Sequence, residues 1–314
     1  MVNVNNNPST ILIIGNGFDL DLGLNTSYKS FIDTMYECKQ HPESKNILID
    51  DMIKKYRKCA NWIDIELFLR DYAISYSNKD IEENKDIEKN RNIELEYRKL
   101  CNDLNTFMVQ YKYLDDKKNY LGEYIYNIGT ISSKLLEWIS NQPNSRVYSF
   151  NYTNMNDVAR SLNKQQNLNI KDFDIRYIHG ETCSSYNGRI APIILGIDDV
   201  KVKDEFKCMI KSTHSSYNSG IMSDLPKATH VVFFGFGMGQ TDHPYFKDFF
   251  KMIENGKLNT RISVFNISNS SAFYGQLVNM KIDVAKIREC SNIHFYCVND
   301  NGLNDFYNET SRMQ

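Results

Sequence analysis

A short apolar run, Ile11-Leu12-Ile13-Ile14, stops abruptly at Gly15-Asn16-Gly17-Phe18-Asp19, with Gly23 four residues further on. No other stretch constrains the fold of this chain as much. An apolar run bounded by glycine reads as a buried strand, and the Gly-x-Gly after it reads as a turn into a helix. Glycine lets a backbone approach a phosphate closely, and a helix N-terminus offers N–H groups and the positive end of a dipole. A nucleotide site near the start of the chain is therefore one reading. A tight structural turn that binds nothing is the other.

The spacing narrows the chemistry. A dehydrogenase fingerprint needs a third glycine three residues after the second, and an acidic residue closing a second strand roughly 20 residues on. Here Leu20 holds the third glycine position, and Tyr28-Lys29-Ser30-Phe31-Ile32-Asp33-Thr34-Met35-Tyr36 reads as helix rather than strand. Hydride transfer on an ordinary dinucleotide fold is disfavoured.

With 314 residues, 41% of them hydrophobic, the chain can build one large domain or a core with an inserted subdomain. A net charge of −2 gives no general reason to expect nucleic acid or a membrane as partner. The polar start, Met1-Val2-Asn3-Val4-Asn5-Asn6-Asn7, is not a signal peptide, and the apolar run at 231–238 is too short to span a bilayer, so a cytoplasmic location is expected. The seven cysteines are odd in number and show no C-x-x-C spacing, which argues against a disulfide framework and a zinc ribbon.

Residues 26–140 read as almost wholly helical. Ile93, Tyr97, Leu100, Leu104, Phe107 and Tyr111 recur at helical spacing, the core seam of a helical subdomain. The mixed charges of Lys79 to Lys99 read as a solvated face. After Pro143 strand and helix signals alternate. Strands are expected at 146–150, 175–178, 193–195, 230–234, 261–265 and 293–298, and helices at 154–164, 201–212, 243–255 and 272–288. The expected architecture is α/β and Rossmann-like, a mainly parallel sheet of about six strands with helices on both faces. Residues 1–25 and 141–314 would form the core, and 26–140 a large helical insertion after the first strand.

Such sheets bind ligands at the carboxyl ends of their strands. Those ends carry Gly15-Asn16-Gly17-Phe18-Asp19, then Asn151-Tyr152-Thr153-Asn154, His179-Gly180, Gly235-Phe236-Gly237-Met238-Gly239-Gln240-Thr241-Asp242, and Asn266. Each has an ordinary explanation. Asn151 is a good helix cap, His179 a satisfied loop histidine, and Gly235 and Gly237 turn residues. Their gathering at one edge of one sheet is harder to explain that way.

This constellation resembles the sirtuin-like NAD-binding superfamily, whose members carry Gly-Ala-Gly-x-Ser-x-x-x-Gly-Ile-Pro, Thr-x-Asn-x-Asp and His-Gly motifs. Gly15, Gly17 and Gly23 stand at the glycine offsets of the first motif, Asn151 in the second and His179-Gly180 in the third. Asn266 fits the asparagine near the adenosine ribose. Within that group the chain is similar to the bacteriophage abortive-infection AbiH family. The likeness is carried by Gly15 to Tyr28, Asn61-Trp62-Ile63-Asp64-Ile65-Glu66, Phe150 to Asn154, Ile178-His179-Gly180 and Gly235 to Phe246. There are departures: Asp19 replaces a serine, Asn25 a proline, Thr153 an acidic residue and Gly237 a serine, and the deacylase zinc module is absent.

The resemblance implies anti-phage defence by a chain that hydrolyses NAD to nicotinamide and ADP-ribose, with no metal. The alternative is a non-catalytic module that senses NAD or a related nucleotide and regulates a defence partner. Asn151 and His179 are the implied catalytic pair, the amide fixing water and ribose and the imidazole taking a proton. Gly15, Asn16, Gly17, Asp19, Gly235, Gly237 and Asn266 are the implied nucleotide contacts. Glu66, Thr153 and Asp242 stand behind them. For Glu66 the ordinary reading is a capped helix start with Trp62 as core anchor, and for Asp242 a helix cap. Asp242-His243 and Asp198-Asp199 are weak metal candidates. A second copy of the chain, a defence partner and a phage-derived trigger all stay open as partners.

Overall fold

The computed structural model describes residues 8–37, 46–56, 63–78, 92–114, 124–182, 193–214, 220–266, 270–290 and 292–312. The chain divides into two compact units. One comprises Met1–Leu24, Asp116–Ile178 and Asn218–Gln314, the other Asn25–Asp115 and His179–Tyr217.

The first unit is built on six parallel strands: β1 (Thr10–Ile14), β2 (Ser145–Ser149), β3 (Asp174–Tyr177), β4 (His230–Phe234), β5 (Arg261–Asn266) and β6 (Asn292–Cys297). Their order is β3-β2-β1-β4-β5-β6. β1 is central, with Ile14 in register with Ser149 on one side and Phe234 on the other. Ile11 to Ile14 are wholly buried, as expected for a parallel strand covered on both faces. Flanking helices include Ile131–Ser140, Met155–Gln166, His243–Glu254 and Asp300–Ser311. Their starts are set locally. Thr130 accepts from the Ser133 N–H, Asn154 from the Asp157 N–H and Asn299 from the Gly302 N–H. The cap expected of Asn151 thus falls three residues later, on Asn154.

This strand order is that of the doubly wound nucleotide-binding sheets, and its direction of winding reverses between β1 and β4. The fold is α/β and Rossmann-like. Among the described residues no helix is long and apolar enough to cross a membrane.

The second unit is mainly helical, with helices Tyr28–Ile32, Ile47–Tyr56, Ile65–Ser77 and Ile93–Leu114. The seam read from the sequence is present: Tyr97, Leu100, Leu104 and Phe107 are buried, and Phe107 meets Phe31 at 5.6 Å between ring centroids. The side chain of Tyr111 lies outside the described residues, as do Trp62 and 79–91. The segment 193–214 is fastened to the Ile65–Ser77 helix. Arg70 Nε pairs with Asp198 at 2.7 Å, the Lys203 N–H donates to Ser77 Oγ at 2.9 Å, and Phe206 packs on Tyr72.

Three elements differ from expectation. Ile193 to Leu195 are buried but form no strand; the Ile194 N–H donates to the His179 carbonyl. A buried apolar run does not distinguish a strand from a tied-down loop. Residues 201–212 make short 3₁₀ turns, Asp204–Met209 and Lys211–Thr213, although Val202, Phe206, Met209 and Ile210 are spaced as a helical stripe, because the Met209 carbonyl and the Lys211 N–H are taken by the Ile197 backbone. The region 272–288 is two helices, Ser270–Asn279 and Val284–Cys290. The structure also groups residues 124–140 with the sheet and 193–214 with the helical unit.

Candidate functional site

At the carboxyl end of the sheet, the loops after β1 and β4 interlock. The Gly15 N–H donates to Phe234 O at 3.2 Å, the Gly17 N–H to Gly235 O at 2.8 Å, and the Phe18 N–H to Gly15 O at 2.9 Å. A Cβ on Gly17 would lie 2.6 Å from the Gly235 Cα, and one on Gly235 would lie 2.3 Å from the Phe18 N. Gly235 also has a φ of +60°, where side chains are strained. The glycines are needed so that two backbones can touch at the switch point. The reason expected from the sequence, approach to a phosphate, is not what excludes side chains here. The Gly17 amide that would have faced a phosphate is spent on Gly235.

Beside this junction lies a polar knot. Asp19 is fully buried in the short helix Asn16–Asp21. Its Oδ1 accepts from Asn151 Nδ2 at 2.8 Å and its Oδ2 from Thr153 Oγ1 at 2.5 Å. Asn151 Nδ2 also donates to Gly15 O at 2.8 Å. Asn151 is therefore not free to donate and accept at once, as the sequence suggested. Both its amide hydrogens are committed, and only its carbonyl oxygen is left for a ligand. Asp19 is fully buried, and both of its carboxylate oxygens are bonded inside the protein. Two departures from the resembled motifs turn out to be one. The motif has serine at the first position and an acid at the second; here the acid is Asp19 and the hydroxyl is Thr153, bonded to each other. Burial, then the Asp19 charge, pushes the nearby Tyr126 phenol well above its ordinary range.

In the β4 loop, Gly237 has open space where a Cβ would be, and Met238 takes a positive φ with its side chain buried. Asp242 occupies the cap position of the His243–Glu254 helix, but its side chain makes no capping hydrogen bond, contrary to expectation. His243 Nε2 donates to Gln276 Oε1 at 3.0 Å, a structural use of that imidazole. Asn266 closes β5.

The second unit holds its own buried cluster. Asp64 caps the Ile65–Ser77 helix by accepting from the Leu67 N–H at 2.9 Å, which sets Glu66 in the first turn. Glu66 Oε2 pairs with Lys211 Nζ at 2.9 Å, its Oε1 accepts from the Gly196 N–H at 3.2 Å, and His179 Nδ1 lies 4.0 Å from Oε1. Glu66, Lys211 and His179 are all at most 5% exposed. Lys211 balances the carboxylate charge. Gly196 has no side chain because a Cβ would lie 2.8 Å from Lys211 Cγ. Reasoning from sequence missed Lys211 and Gly196. A lysine in a polar stretch gives no local sign that it is buried.

The structure thus brings Gly15, Gly17, Asp19, Asn151, Thr153 and Gly235 together within the sheet unit, and Glu66 and His179 together within the helical one. The sequence profile described as Bacteriophage abortive infection AbiH matches residues 11–265, from β1 into β5. The chain belongs to the AbiH family. That membership gives it a role in abortive infection by bacteriophage. No curated protein matches this AbiH chain.

Proposed function

We propose that this AbiH protein binds NAD at the carboxyl end of its sheet and hydrolyses it to nicotinamide and ADP-ribose as an effector of abortive infection. One observation carries the reading: the β3-β2-β1-β4-β5-β6 order puts its switch point between β1 and β4, where sheets of this kind hold nucleotides, and the Gly15–Gly17 and Gly235–Gly237 loops flank it. The motif resemblance to the sirtuin-like NAD-binding group adds support. Cleavage of the nicotinamide–ribose bond develops positive charge on the sugar and needs an oriented water, as in glycoside hydrolysis. In this reading His179, buried beside Glu66 in the helical unit, is the candidate general base for that water. Asn151 contacts the nucleotide.

The commitment of both Asn151 hydrogens inside the protein favours a second reading, an NAD-sensing module. The deciding measurement is nicotinamide release by the purified full chain and by His179→Ala, with and without extract of infected cells, alongside plaque counts. Loss of about 10² to 10⁴ in rate for His179→Ala is the expected result. Protection without NAD loss, in a chain that binds NAD by calorimetry, selects the sensor. Protection without any NAD binding overturns both.

A further inference from the structure

The knot around Asp19 fixes more than the loops. The Asn151 amide meets two groups, the Gly15 carbonyl and the Asp19 carboxylate, and neither can donate a hydrogen bond. The nitrogen must therefore face both of them. The Asn151 carbonyl oxygen is left on the other side, and no described residue donates to it. A third acceptor group is thereby presented beside two others, Gly15 O and the buried carboxylate. The N–H groups that could have reversed this polarity, those of Gly17 and Phe18, are spent on Gly235 O and Gly15 O.

The geometry points to Asp19 as a positioning residue that locks Asn151 with its carbonyl outward, so that the end of β2 takes an uncharged, hydroxyl-bearing part of the ligand and refuses a phosphate. For a nucleotide that part is a ribose. The choice of ribose rests on the nucleotide reading above; the orientation of Asn151 does not. A phosphate oxygen brought against the Asn151 carbonyl would face an acceptor beside a buried negative charge, a contact that costs rather than stabilises. A sugar hydroxyl donates into the same oxygen. On sequence the Gly15–Gly17 turn falls to phosphates and Asn151 to a ribose; the bonds around Asp19 supply the reason Asn151 would favour the sugar.

Two measurements test the inference on the full chain. In hydrogen-exchange NMR of labelled protein, both Asn151 side-chain hydrogens are expected to exchange at least about tenfold more slowly than those of exposed asparagines such as Asn301. Asp19→Asn keeps an acceptor for Asn151, with Thr153 turning to accept, and retains the protection. Asp19→Leu removes the acceptor and loses it. In calorimetry with NAD, adenosine and inorganic pyrophosphate as probes, Asp19→Leu and Asn151→Leu are each expected to weaken NAD and adenosine about tenfold. They leave any pyrophosphate binding unchanged, and the double variant is no worse than either single one. Fast-exchanging Asn151 hydrogens in a folded wild type that binds NAD overturn the positioning role while the nucleotide reading stands. Protected hydrogens in a wild type that binds neither NAD nor adenosine overturn ribose as the occupant and the nucleotide reading with it. If Asp19→Leu does not fold, the wild type and Asp19→Asn still give the exchange result, and Asn151→Leu the binding result. Pyrophosphate binding that falls with Asn151→Leu puts phosphate at this position and sinks the proposal.

Discussion

The junction between β1 and β4 and the cluster around Glu66 are both buried and both tightly fitted, yet they are made of opposite materials. The first consists of backbone alone: Gly17 and Gly235 meet through an N–H···O bond because neither has a side chain. The second depends on two long charged side chains, Lys211 and Glu66, joined across 145 positions of sequence. Backbone contacts of the first kind are shape-limited, and any added atom destroys them. Ion pairs of the second kind are charge-limited. Losing one partner is costly, whereas losing both together is tolerated.

The comparison predicts different responses to mutation. Gly17→Val and Gly235→Ala should leave little folded protein, since a Cβ must sit within 2.6 Å of backbone atoms in each case. Gly237→Ala in the same β4 loop meets open space and should stay within about 0.5 kcal/mol of wild type. Soluble yield and far-ultraviolet circular dichroism separate the two outcomes; a well-folded Gly17→Val would show that the loops part easily.

A smaller effect is expected in the helical unit. Lys211→Met strands the buried Glu66 carboxylate and should cost about 3–5 kcal/mol in urea unfolding. Adding Glu66→Gln to it should recover more than half of that loss. If the double variant is as unstable as the single one, the pair is held by packing rather than by charge.

The smallest effect concerns His230 at the start of β4. Burial, then the charges of Arg261 and His294, lower its pKa to about 3, so it stays neutral and bonded to Ser263 at 2.9 Å. The unfolded chain takes up a proton as pH falls through about 6.5 and the folded one does not, so this stability is present above that value and is lost below it. By pH 5.5 wild type should have lost up to about 1.4 kcal/mol more than His230→Gln. Parallel melting curves of the two proteins from pH 7.5 to 5.5 would refute this if they stay a constant distance apart.

The same contrast explains what the sequence could reveal. β1 and β4 were readable to the residue, because short apolar runs closed by glycine are local signals. Asp19, Asn151 and Thr153 were readable as a group because each follows a strand. Their bonding was not, since the direction of an amide depends on what lies opposite it in space. Residues 193–195 were misread as a strand because burial was legible and pairing was not. Lys211 was invisible: its burial is decided by Glu66, which no window of sequence around residue 211 contains.

β1 hydrogen-bonds on both edges, to β2 and to β4, yet it is made first. During synthesis it must wait for Phe234, about 220 residues later, before its second edge is closed. At roughly 5–20 residues per second, that is about 10–40 seconds with an apolar strand exposed on a growing chain. The strand that organises the finished sheet is therefore its most vulnerable part before completion. A chain truncated anywhere before β4 keeps an open, apolar edge that invites aggregation.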